Sequence, residues 1–200
     1  MRNFFTRYSY SMITMFVRQF AIGLLGAVLA LATSMNTALS IVSGVFSILF
    51  YLFLIYTMTW EIGAKDRISS DHGKLPARPW RGFVISLIAN TPNFVIALIY
   101  TVFRLVSPDN DNVAAIMRTV AFFFEGMYQG ILSKITIGEL KMFEFWWSYF
   151  IIIIPAVLTA GLAYWLGTKN VHFTRMMETQ YPESDREPKK KWFGTNKSDK

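Results

Sequence analysis

The chain has 200 residues, 53% of them hydrophobic and only 16% charged, with a formal net charge of +7 and no cysteine. Soluble domains carry about 25% charged residues, and the lack of cysteine excludes disulfides, thiolate metal sites and cysteine nucleophiles. The positive charge does not point to nucleic acid, because no basic patch is interleaved with stacking aromatics; it sits at the ends of apolar runs and in the C-terminal segment.

Residues 19–60, 82–103 and 145–168 carry no charge at all. A helix needs about 20 apolar residues to cross ~30 Å of hydrocarbon. The second and third runs each fit one crossing and the first fits two, which predicts an all-α, polytopic helical membrane protein with four transmembrane helices.

In chain order, residues 1–18 form an amphipathic segment. Arg7, Ser11, Thr14 and Arg18 fall on one helical face and Phe5, Tyr8, Met12 and Met15 on another. This pattern fits either a short helix lying in the membrane interface or an extension of the first span into water. The first span is expected over 19–34, turn chemistry at Ser34–Thr37, and the second span over 38–60. Charges resume abruptly in "WEIGAKDR", 60–67, where Trp60 anchors the span and Glu61 opens a loop. Pro76 and Pro79 stiffen the return of that loop to Trp80.

The third span is expected over 82–105. Its "ANTPNF", 89–94, contains Pro92, which lacks an N–H for the carbonyl of Ile88 and so predicts a kink near mid-span. Asn90 and Asn93 lie three apart on one face at the same depth. Such a broken helix can hold a polar solute or ion, or its amides can simply satisfy the kink and neighbouring helices. After the "SPDNDN" loop, 107–112, comes 113–133, where Arg118, Glu125, Gln129 and Ser133 form one helical stripe. The segment is either an interfacial helix with this stripe in water or a re-entrant element with the stripe facing a polar pathway. The last span, 145–167, carries Trp146 and Trp165 about 28 Å apart along a helix, an aromatic belt at both ends, and Pro155 should kink it. From 169 to 200 the chain reads as a disordered basic tail. Lys189, Lys190 and Lys191 there either press on anionic lipid at about 1 kcal/mol per cation or keep the tail in solution.

Orientation follows from basic residues. With four spans, Arg2, Arg7 and Arg18, the five basic residues of 61–81 and the eight of the tail share one side, against Arg104, Arg118, Lys134 and Lys141. Both termini are therefore expected in the cytoplasm. Small residues Gly23, Gly26 and Ala27, then Ser40, Gly44 and Ser47, and Ala156 with Ala160, recur at helical spacing and read as packing faces for helices of this chain or of another.

The phosphate-loop, zincin and nucleophile-elbow patterns are absent. Asp71 beside His72 is a neighbour pair in a solvated loop, and metal ligands do not cluster, so no cofactor is expected. The stretches "FYLFLIYTMTWEIGAKDR" and "GFVISLIANTPNF" resemble small multi-pass membrane proteins of Gram-positive anaerobic bacteria over about 40–95. The resemblance implies a bacterial cytoplasmic membrane and brings no activity or site residues. Because paired catalytic groups at one depth are missing, an enzyme is not expected. The leading expectation is an accessory subunit or scaffold of a membrane assembly. The alternative is a small transporter or channel with a polar site at Asn90, Pro92 and Asn93, joined by Arg118, Glu125 and Gln129, and built as a homo-oligomer because four spans enclose little space.

Overall fold

A computed structural model describes residues 2–73, 78–106 and 111–171. The chain there is mostly helical. Helix α1 (Arg2–Ala32) and helix α2 (Thr37–Asp71) run antiparallel through a short turn. Asn36 caps α2 by accepting a bond from the Leu39 amide at 3.2 Å, the usual way to satisfy an orphan donor at a helix start. Then follow α3 (Arg81–Ala89), α4 (Thr91–Val106), α5 (Asp111–Phe124), α6 (Gly126–Leu132), a two-residue hairpin β1 (Thr136–Ile137) and β2 (Leu140–Lys141), a 3-10 turn (Met142–Glu144), α7 (Ser148–Ile151) and α8 (Ile153–Thr168). In the hairpin Thr136 faces Lys141 and Ile137 faces Leu140, and Gly138 supplies the turn with a φ of 66° that a side chain rarely adopts.

Three helices, α1, α2 and the α7–α8 run, are long and apolar enough to cross a membrane, and a fourth crossing is available if α3 and α4 count as one bent span. The bend is 53° and lies where the proline kink was expected.

Several boundaries differ from the sequence reading. Of the two alternatives for residues 1–18, a separate interfacial helix does not form and the segment extends the first long helix: α1 is continuous for 31 residues, about 46 Å. The reason is packing, since Tyr8, Met12 and Met15 are buried in the core together with Ile22 further along the same helix. The second helix does not stop at Trp60. Its inward stripe of Ser40, Gly44, Ser47, Tyr51, Ile55 and Thr59 continues through Gly63 and Asp66, and the surface of the extra turns is laced by Glu61–Lys65 and Arg67–Asp71 pairs at 3.9 and 3.7 Å. The final helix begins at Ser148, after a hairpin and a 3-10 turn, and breaks at Ile152 so that Pro155 falls in the first turn of α8, where no donor is needed. The tail beyond Val171, including Lys189, Lys190 and Lys191, lies outside the described residues.

The small-residue faces find their partner within this chain. A Cβ on Gly23 would stand 2.6 Å from the carbonyl oxygen of Phe123, and one on Gly130 2.7 Å from that of Ser40. The Ser40 hydroxyl donates to the Gly130 carbonyl at 3.1 Å. Backbone-on-backbone approach of this kind needs small residues at the contact, and it seats α6 in the groove between α1 and α2. Helix α5 descends beside α4, its first turns near Tyr100 and Arg104. It reaches α1 at the level of Phe20 and Gly23. Helix α6 then returns toward the α1–α2 turn, where the Lys134 ammonium donates to the Ser34 carbonyl at 2.8 Å. Together α5 and α6 form a V whose two arms open toward the same end of the bundle.

Candidate functional site

Two helix breaks meet one face of α1. At the first, Asn90 is 1% exposed. Its amide nitrogen donates to the Ser86 carbonyl at 2.9 Å, and its oxygen accepts from Gln19 Nε2 at 3.0 Å and, at the limit of bonding, from Asn93 Nδ2 at 3.5 Å. Pro92 occupies the first turn of α4, where its missing N–H leaves no vacancy in that helix. The structure brings Asn90 and Asn93 within reach of each other, and Gln19 joins them from α1. Gln19 Oε1 and Asn93 Oδ1 are buried with no hydrogen-bond partner among the described residues.

The second break is Glu125, the apex of the V. Its backbone leaves the helical range (φ −118°, ψ 22°), while its N–H still reaches the Ala121 carbonyl at 2.8 Å and its own carbonyl accepts from Tyr128 at 3.0 Å. The side chain is 3% exposed, and Oε2 has no donor among the described residues. Tyr51, Tyr128 and Tyr149 lie within electrostatic reach of it, the first two packed edge to face at 6.3 Å. Gln19 binds Asn90 and Gly23 bears on Phe124; being one turn apart on α1, they put the two breaks about 6 Å apart along that helix.

The expected stripe of Arg118, Glu125 and Gln129 does not exist as a wet face. The break at Glu125 turns α6 away from the axis of α5, so Glu125 and Gln129 are buried at 3% and 4% exposure. Arg118 stays behind on α5, half exposed, 3.9 Å from Glu144 and over the Phe143 ring. A periodicity drawn on a straight helix fails where the helix is interrupted.

A further cluster escaped the sequence reading. Asp66, 5% exposed, accepts bonds from the hydroxyls of Tyr8 and Tyr164, the latter at 2.7 Å. It also pairs with Arg7 at 3.0 Å and lies 3.8 Å from the buried Arg81. One carboxylate thereby ties α1, α2, α3 and α8 together at the end of the bundle that carries Trp60 and Trp80. No group of three or more metal-ligating side chains occurs among the described residues.

Comparison with protein-family models, with curated proteins and with solved structures finds no match. Fold and site define an all-α bundle with two interrupted helices around a buried polar centre and a carboxylate clasp at one end.

Proposed function

We propose that the chain is a four-span integral membrane protein of a bacterial cytoplasmic membrane with both termini in the cytoplasm. In this reading α5 and α6 are a re-entrant element, entering and leaving by the outer face, and Glu125 at its tip is the binding group for a proton or a small monovalent cation. The protein is then a small ion carrier or channel. The observation that carries the reading is the buried, unpartnered Glu125 Oε2 at a helix break. A carboxyl group inside the hydrocarbon is costly and normally marks an ion or proton path, and interrupted helices are where transporters place such sites.

The competing reading, an accessory subunit or scaffold, draws on the same close packing of the interior. Flux assays on purified protein in liposomes separate the two. With pH-sensitive and cation-sensitive dyes inside, the wild type is expected to pass one of these ions, and Glu125→Gln, which keeps shape and removes the charge, to lose at least about tenfold of that rate. Equal flux in the variant would remove Glu125 from the path. Rates no higher than in protein-free liposomes would favour the accessory reading.

A further inference from the structure

Beside Asp66, where α2 and α8 end and α3 begins, lies a cavity of about 380 Å³. Its wall carries four cations, Arg67, Arg78, Arg81 and Lys169, against two carboxylates, Asp66 and Asp71. The carboxylates do not neutralise it. Asp66 is taken up by the Tyr8 and Tyr164 hydroxyls and by Arg7, which leaves Arg81 at 3.8 Å, and Asp71 stands 3.7 Å from Arg67. Arg78 and Lys169 have no carboxylate partner among the described residues and rest over the rings of Trp80 and Trp165 at 5.9 and 5.1 Å. Helix α3 starts in this wall at Arg81 with no side chain capping it, so the positive end of its peptide dipoles adds to the same potential.

A concave, partly buried excess of positive charge collects anions, and the planar fork of arginine matches the oxygens of a phosphate group. Tryptophans at this end favour the headgroup level of a bilayer. We propose that the cavity binds a phosphate group presented from the cytoplasmic side, carried either by an anionic phospholipid headgroup or by free phosphate. The lipid source rests on the membrane reading above; free phosphate does not.

The test uses purified full-length protein and the double substitution Arg78→Gln/Lys169→Gln. Both side chains are exposed and stand outside the Asp66 clasp, so the unliganded variant should melt close to the wild type. Melting temperature is followed against inorganic phosphate, with chloride at equal ionic strength as the control. It is followed separately against phosphatidylglycerol in mixed micelles, with phosphatidylcholine as the control. The wild type should show a saturable rise with at least one of the two phosphate sources, and the double variant a midpoint at least tenfold weaker. A rise with phosphatidylglycerol alone identifies a headgroup; a rise with inorganic phosphate alone identifies the free anion. No rise with either, or an undiminished rise in the double variant, would overturn the proposal.

Discussion

Replacing Asp66 with Ala is expected to destabilise the protein by about 3–5 kcal/mol, the usual cost of removing one partner from a buried charge network. The Arg7 contact contributes little of this, because its side chain is 39% exposed and solvent screens it. The loss comes from Arg81, whose side chain is only 9% exposed and which loses the counter-charge 3.8 Å away, and from the Tyr8 and Tyr164 hydroxyls, left without their acceptor. Asp66→Asn keeps an oxygen for one hydroxyl and should lose less. Denaturant unfolding in detergent reads both. A loss under about 1 kcal/mol for Asp66→Ala would mean that water or lipid replaces the carboxylate and that the clasp does not hold the helix ends.

The second large effect is expected at the apex of the V. A Cβ on Gly126 would collide with the carbonyl oxygen of Gly23 and stand 2.6 Å from the amide nitrogen of Ala27. Both neighbours are backbone of a continuous helix and cannot swing aside as a flexible side chain would. Overpacking of this kind costs about 1–3 kcal/mol, so Gly126→Ala should fall near the upper end and Gly126→Leu should unseat α6 from its groove. Val42, 65% exposed on α2, is the matched control, since Val42→Leu meets no packed neighbour there. Melting in detergent combined with protease sensitivity of the 126–141 segment is the readout. A Gly126→Leu variant that melts like the wild type would show that α6 is not docked against α1.

What the sequence disclosed depended on how local the governing physics is. The bend near Pro92 was legible because a missing N–H acts within one turn. The long apolar helices were legible from their uncharged runs alone. The far end of α2 was not, because the charges from Glu61 onward mark an end to apolarity and not to the helix. The inward stripe of Thr59, Gly63 and Asp66 continues at the same spacing, and following it would have singled out Asp66. Likewise Gly126 and Gly130, four apart, offer a small face complementary to Gly23, Gly26 and Gly44. Spacing announces that something packs closely, but not which segment arrives. Glu125 was singled out as a candidate yet set on a straight stripe with Arg118. Only the break beside Gly126 carries it into the core.

The path of 111–144 is open to one direct measurement, because the chain has no cysteine and single thiols can be introduced without background. Met35→Cys in the α1–α2 turn, Glu139→Cys in the β-hairpin and Lys65→Cys on α2 all place the thiol at exposed positions. A membrane-impermeant thiol reagent applied to intact cells is expected to label Met35→Cys and Glu139→Cys, and to reach Lys65→Cys only after the membrane is opened. Protection of Glu139→Cys together with Lys65→Cys, while Met35→Cys is labelled, would mean that α5 and α6 cross the membrane, and would contradict a re-entrant element with Glu125 at its tip.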